Sequence, residues 1–435
     1  MTDLRLSPAK LRGQITLPPS KSMAHRAIIA ACLSQGQSII KNVQMSDDIT
    51  ATIAGMESFG AEVIKEETKS NFCLTIQGIE APGNQTDRRI DANESGSTLR
   101  FLIPLSSLFE GSSNFVGRGQ LGVRPLDIYE NIYRKQGLRY DATPPPVLDL
   151  TVEGKLNAGS YEMPGDVSSQ FITGLLYTLP LLAGDSSINI TSPLESVGYL
   201  DLTLAMLAKF GIQVDWNPKK QVILVPGNQK FQAQNYTVEG DYSQSAFFLG
   251  AAALGNPVKS HGLNLESQQG DKAILDILEQ LGAPVKQVDD SLTIENPQLK
   301  GGGVIDGSQC PDIIPMVALV AALSPGYTEI INLHRLRIKE CDRLQASRDE
   351  LAALGADIEI EGDSLQIQGV ESLKGGAQVW SHKDHRMAMM LAIASTVCQD
   401  DIILTDSECV AKSYPNFWEE FERLGGVTHE WRLGE

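Results

Sequence analysis

The chain has 435 residues and a formal charge of −18, from 36 Lys and Arg against 54 Asp and Glu, with a pI near 4.8. That length supports two or three domains with substantial cores, and the acidic balance argues against nucleic acid or an anionic membrane as the main partner. The first 21 residues have no apolar leader core and no stretch reaches the ~20 apolar residues a bilayer span needs, so the sequence predicts a soluble, untargeted, cytoplasmic protein.

In chain order, six polar turns each run into a helix that is apolar on every side. The heads are Ser20-Lys21-Ser22, Ser95-Gly96-Ser97-Thr98, Asp166 to Gln170, Asp241 to Ser245, Ser308 to Asp312 and His382 to Arg386. The helices they open read AIIAACL, FLIPLSSLF, FITGLLYTLPLLA, AFFLGAAALG, IIPMVALVAAL and MAMMLAIAS. A helix apolar all round must be buried, so its polar first turn is not there for solubility. Helix N-termini carry unpaired N–H groups and partial positive charge, which makes them anion sites. Several such starts gathered at one place would suit a small, highly charged anion.

Between these helices a second signal recurs, an amphipathic helix that closes on glycine and leads to a strand. The copies end at Gly60, Gly137, Gly211, Gly282, Gly355 and Gly425, where the left-handed conformation of a helix C′ residue favours glycine. Runs such as NFCLTIQGI, VLDLTVEG, QVILVPG, SLTIENP and SLQIQGV supply strands. Both signals share a spacing of about 70 residues, which predicts six α/β units. Terminal caps are missing, so two lobes of three units fit better than a solenoid, with a boundary near Gly240.

Basic residues recur at the helix heads: Lys21 and Arg26, Arg100, Arg124, Lys339 and Arg343, Arg386, and Lys412. Lys339 and Arg343 are four apart, and on one helix face they would repel mildly. An anion between them, or Glu340 and Asp342, would remove that cost. His382 and His385 have no cysteine or carboxylate at a ligand spacing, so no metal is expected. The six cysteines are scattered without a C-x-x-C and read as reduced thiols. G-x-S-x-G, Walker and dinucleotide fingerprints are absent, and no cofactor is expected.

The ordered segments PSKSMAHR, ESGSTLR, LGVRPL, PGDVSSQF, PDIIPM, RIKECDR, DHRMAM and AKSYP resemble the enolpyruvyl transferases across essentially the whole chain, above all the branch acting on shikimate 3-phosphate. The resemblance implies a two-domain inside-out α/β barrel of six βαβαββ repeats, three per domain, with an interdomain active-site cleft. Its domains would be 1–19 plus 240–435 and 20–239. It also implies addition–elimination between phosphoenolpyruvate and shikimate 3-phosphate in a monomer, with no nucleic-acid or membrane partner.

Carried over residue by residue, Lys21, Ser22, Arg26, Ser168, Ser169, Gln170, Ser196, Tyr199, Asp312 and Lys339 are the implied contacts of shikimate 3-phosphate. Lys21, Gly96, Arg124, Gln170, Arg343, Arg386 and Lys412 are those of phosphoenolpyruvate. Asp312 and Glu340 are the implied proton carriers, Lys21 touches both substrates, and His385 orients neighbours. Glu94, Ser97 and Phe101 depart from the family's usual loop; Gly96 is kept, so glyphosate is expected to compete with phosphoenolpyruvate. Arg335 stands where some members have Asn, and its contact is not carried over.

Three alternatives are weighed against this reading. The sister branch acting on UDP-N-acetylglucosamine usually has a cysteine five residues before the Arg-Pro pair, where this chain has Gly119. A six-unit DNA clamp needs basic residues along inward helices, whereas here they cluster at helix starts. A non-catalytic anion-binding protein would release no phosphate.

Overall fold

The computed structural model describes residues 3–79 and 87–432. Each polar head leads into a helix buried over most of its length: Lys21–Leu33, Gly96–Ser106, Ser169–Thr178, Tyr242–Ala253, Ile314–Ala322 and His385–Ser395. Side chains cap four of these starts, Ser95 on the Thr98 N–H, Ser168 on Gln170, Asp241 on Gln244 and Asp384 on Arg386. Such caps are each worth about 1 kcal/mol.

The glycine-terminated helices are Asp47–Ser58, Asp127–Lys135, Val197–Lys209, Ile274–Gln280, Arg343–Ala353 and Phe417–Arg423. Each stops two residues before its glycine, and all six glycines have φ between 69° and 105°. The N–H after each glycine returns to a carbonyl five residues earlier: Ala61 to Met56, Leu138 to Tyr133, Ile212 to Leu207, Ala283 to Leu278, Ala356 to Leu351 and Gly426 to Phe421. These are Schellman closures, and they turn the chain into the next strand at the same place in every copy.

One unit shows the pattern of all six. Strand Asp87–Asp91 pairs in parallel with Ser112–Gly117, which pairs antiparallel with Leu148–Glu153, which pairs antiparallel with Arg139–Ala142. A buried helix links the first two strands and a glycine-terminated helix links the second to the last hairpin. The order first-second-fourth-third recurs in six four-stranded sheets.

Three sheets are completed by strands distant in sequence. Asp3–Ser7 fills the fourth-strand place beside Ile402–Thr405 and Val427–Trp431, and Gly13–Thr16 runs parallel to Val258–His261. Asn235–Thr237 runs parallel to Gln37–Val43. The described residues therefore form two compact units, one of residues 21–238 (the middle unit) and one of residues up to Ser20 with those from Glu239 onward (the terminal unit). Each has its own hydrophobic core, with helices inside and sheets outside, the two-domain inside-out α/β fold. Among the described residues, no helix is long and apolar enough to cross a membrane, and the six cysteines are unbridged.

Candidate active site

In the middle unit, the heads of the three buried helices are tied together by side chains. Arg26, 2% exposed, donates from Nε to Thr203 Oγ1 at 2.9 Å and from Nη2 to the Tyr199 carbonyl at 3.2 Å and to Thr173 Oγ1 at 3.4 Å. Its Nη1 donates to the Ser22 carbonyl at 2.9 Å. Arg26 thus joins the helix that carries Lys21 and Ser22 to those that carry Ser169 and Tyr199.

Gln170 makes the next link. Its Oε1 accepts from Arg100 Nη1 at 2.8 Å, and its Nε2 donates to Ser97 Oγ at 3.0 Å. Ser168 caps this head, Ser169 is buried, and Ser196 is a fully buried left-handed residue one place before the helix of Tyr199. A Cβ on Gly96 would lie 2.7 Å from Arg124 Nη1, so the Arg124 guanidinium rests against the unsubstituted Cα of Gly96. Lys21 Nζ pairs with Asp48 Oδ2 at 2.7 Å. Pro104 lacks the N–H that would bond the Arg100 carbonyl, and Tyr129 Oη donates to that oxygen at 2.7 Å instead.

In the terminal unit the charges converge on Asp312. The helix after it begins only at Ile314, and its N-cap residue is the apolar Ile313, so Asp312 stands one place before the cap, unlike the capping Asp241 and Asp384. Arg343 Nη1 reaches Asp312 Oδ1 at 2.7 Å, Lys339 Nζ reaches the same oxygen at 3.3 Å, and Arg386 Nη2 reaches Oδ2 at 3.1 Å. Arg343 is 1% exposed and bonds two further carboxylates, Glu340 Oε2 at 2.7 Å and Asp384 Oδ2 at 2.7 Å.

Burial pushes the Asp312 carboxyl up, but Arg386, Lys339 and Arg343 outweigh it and hold the group well below the usual carboxylate range. Burial lowers the Lys339 ammonium to about 8 against the pull of Asp312. Burial also opposes the Arg343 charge, but Asp384, Glu340 and Asp312 more than restore it.

Behind this cluster lies Asp271, bonded by Ser243 Oγ at the head of Tyr242–Ala253. Burial first, and then Asp312, raise it to about 6. His385 is buried with Nδ1 3.8 Å from Asp384 Oδ1. Lys412, also buried, ends the short turn Ser407–Lys412, and the next residue, Ser413, accepts from Gln244 Nε2 at 3.1 Å.

Asp312, Lys339, Glu340, Arg343, His385, Arg386 and Lys412 belong to the terminal unit, and Lys21, Ser22, Arg26, Gly96, Arg124, Ser168, Ser169, Gln170, Ser196 and Tyr199 to the middle unit. The shared helix face expected for Lys339 and Arg343 is not present. Lys339 is extended and the helix starts at Arg343, because Asp342 caps it through the Gln345 N–H at 3.0 Å. Asp312, Glu340 and Asp384 neutralise the pair, whereas Asp342 pairs with Arg337. Asp48, Asp271 and Asp384 were missed from the sequence. Asp384 was the most legible of them, an Asp directly ahead of an apolar helix. Among the described residues no group of three or more His, Cys, Asp or Glu is placed to hold a metal ion.

Two units of three βαβαββ copies, with basic residues drawn to the heads of buried helices, define the architecture of an enolpyruvyl transferase. The chain belongs to the EPSP synthase (3-phosphoshikimate 1-carboxyvinyltransferase) family, whose sequence model matches residues 6–421. It is 53% identical over 436 residues to the 3-phosphoshikimate 1-carboxyvinyltransferase of Clostridium botulinum (strain Eklund 17B / Type B), covering 100% of both chains. It is 50% identical to the protein of the same name in Clostridioides difficile (strain 630), again with both chains fully covered. Among solved structures, EPSP synthase from Acinetobacter baumannii superposes with a TM-score of 0.81 at 25% identity, over 99% of this chain and 100% of the other. An enolpyruvyl transferase from Streptomyces tendae shares the fold, with a TM-score of 0.78 at 16% identity over 99% and 98% of the two chains.

Proposed function

We propose that this chain transfers the enolpyruvyl group of phosphoenolpyruvate to a hydroxyl of shikimate 3-phosphate, giving 5-enolpyruvylshikimate 3-phosphate and phosphate, a step of the shikimate pathway toward aromatic amino acids. The observation that carries the reading is the half-buried Asp312 carboxylate held between Lys339, Arg343 and Arg386, in a chain that matches this family over nearly its whole length.

The methylene carbon of phosphoenolpyruvate takes a proton, and the acceptor hydroxyl oxygen adds to the neighbouring carbon. The tetrahedral adduct then loses phosphate and a methyl proton to restore the double bond. Glu340 is the donor to the methylene carbon: in the unliganded protein its bond to Arg343 fixes the ionised carboxylate in place, and it takes up the proton it gives once an arriving anion draws Arg343 away. Asp312 receives the hydroxyl proton. In the unliganded protein three cations make it a weak base, and an arriving anion that draws Arg343 and Arg386 toward itself raises its basicity. Lys339 sits on the same carboxylate and positions the hydroxyl.

Arg124, Arg343, Arg386 and Lys412 hold phosphoenolpyruvate, with Gly96 giving the Arg124 guanidinium its place. Ser22, Arg26, Ser168, Ser169, Gln170, Ser196 and Tyr199 hold shikimate 3-phosphate, Lys21 touches both substrates, and His385 orients the head of its helix. Charge-assisted hydrogen bonds of this kind contribute about 1.5–3 kcal/mol each, and they accelerate reaction where charge changes in the transition state.

The test is phosphate release from phosphoenolpyruvate, without added metal, with either shikimate 3-phosphate or UDP-N-acetylglucosamine as acceptor. Release only with shikimate 3-phosphate supports the reading. Release only with the sugar nucleotide assigns the sister reaction, and silence with both rejects enolpyruvyl transfer to either acceptor.

A further inference from the structure

Immediately before the head that carries Asp384, His385 and Arg386, the backbone takes two successive left-handed residues. His382 has φ 53° and Lys383 has φ 56°. Neither is glycine, and each such residue costs energy that the surroundings must offset. The surroundings here are specific. The His382 ring packs against Trp380 in a tilted contact, with centroids 4.2 Å apart and planes at 32°, and its Nε2 donates to Glu350 Oε1 at 2.7 Å. The other Glu350 oxygen accepts the Trp380 N–H at 3.0 Å.

Trp380 and Ser381 extend the connection. The indole Nε1 donates to Asp406 Oδ2 at 2.9 Å, and Ser381 Oγ donates to the Asp406 carbonyl at 3.1 Å. Asp406 is itself left-handed, with φ 56°, and opens the turn Ser407–Lys412. Glu350 lies two turns along the helix that Arg343 begins. Ser381 also holds the far side of the strained turn, accepting the Lys383 N–H on Oγ at 3.1 Å and the Asp384 N–H on its carbonyl at 2.9 Å.

This small cluster therefore touches three separate segments of the terminal unit: the Arg343 helix, the Arg386 head and the Lys412 turn. The three cations on those segments are the ones that the proposed reaction assigns to phosphoenolpyruvate in this unit. We propose that Trp380 and His382 are positioning residues: a clip that holds Arg343, Arg386 and Lys412 in register for phosphoenolpyruvate, with Glu350 and Asp406 as its anchors. The inference rests on the enolpyruvyl-transfer reading for its ligand but not for its mechanics. A merely structural cluster would support the whole protein evenly. The clip instead acts on one substrate, because its anchors lead to that substrate's cations.

The experiment compares His382→Ala, His382→Gln and the unmodified full chain by initial rates with each substrate varied, and by amide hydrogen exchange without ligands. In His382→Ala, KM for phosphoenolpyruvate should rise about tenfold, as expected for a modest displacement of charge-bearing groups. KM for shikimate 3-phosphate should stay within about twofold, because its assigned residues lie mostly in the other unit. Exchange should quicken in residues 380–386 and 406–412 together and in no segment of the middle unit. His382→Gln, which keeps a donor for Glu350 but no ring for Trp380, should fall between the two proteins.

Unchanged exchange in both segments, or an equal rise in both KM values, would overturn the clip. If the unmodified chain turns over neither substrate, the reaction assignment fails by itself, and the exchange data still decide whether His382 ties the two segments together.

Discussion

Asp271→Asn should make the protein more stable at neutral pH, although it alters a buried, hydrogen-bonded side chain beside the proposed site. Asp271 is 2% exposed, and burial followed by the charge of Asp312 moves its carboxyl from the ordinary 3.8 to about 6, against the opposing pull of Arg386 and the Ser243 hydrogen bond. A carboxyl raised in the folded state binds its proton more tightly there than in the unfolded chain. Its contribution is therefore fully present below pH ~3.8, and it is lost as pH rises through about 6. At 1.36 kcal/mol per pH unit, the gap between 3.8 and about 6 corresponds to about 3 kcal/mol. Asparagine keeps an oxygen for Ser243 but never ionises. The difference between variant and unmodified protein should be near zero at pH 4 and grow to about 2–3 kcal/mol in favour of Asn by pH 7.5. Urea denaturation at half-unit steps from pH 4 to 8 measures it, and taking the difference cancels the other carboxylates. A variant less stable than the unmodified protein at pH 7.5, or a difference independent of pH, refutes the reasoning. Groups that cost stability where they stand are characteristic of functional sites.

Gly96→Ala should raise KM for phosphoenolpyruvate about tenfold with little change in melting temperature, because the new Cβ would sit 2.7 Å from Arg124 Nη1 and 3.0 Å from its Cζ and displace that guanidinium. Steady-state kinetics with each substrate varied separates this from a general loss. Asp384→Asn keeps the cap on the Arg386 N–H but removes a fully buried charge bonded by Arg343 at 2.7 Å, so denaturation should show a loss of about 3 kcal/mol. Lys339 is charged below about 8, so kcat/KM should fall as pH rises through that value. Lys339→Arg, which stays charged, should remove that alkaline limb from the pH–rate profile, whatever its effect on the plateau.

Much of the fold is legible because its signals are local. A glycine at C′ and a serine or aspartate at the cap act within one turn of chain, and the structure repeats them in copy after copy. The convergence on Asp312 is different in kind. Asp312, Arg343 and Asp384 lie 31 and 41 residues apart, and nothing short of the sheet pairings brings their turns together. The reading of Lys339 and Arg343 as helix neighbours failed for a reason that was itself local: Asp342 in C-D-R-L-Q is a helix cap, and it starts the helix after Lys339. The strand Asn235–Thr237 is only three residues long; so short a run carries no period, and its place beside Gln37–Val43 depends on a partner about 200 residues away.

The cluster around Asp312 also changes what a local excess of basic residues means in a chain of charge −18. Lys339, Arg343 and Arg386 stand against Asp312, Glu340 and Asp384, so the three cations are matched by three carboxylates before any substrate arrives. An unmatched buried cation costs several kcal/mol, and the carboxylates hold the guanidiniums in place without that penalty. An incoming anion therefore exchanges partners with a carboxylate, and the net attraction at this cluster is smaller than a count of its cations suggests. What the exchange changes most is the displaced carboxylate, whose proton affinity rises as its cations turn to the ligand. In this arrangement, the binding of an anion by these cations and the rise in the proton affinity of Asp312 are the same electrostatic event.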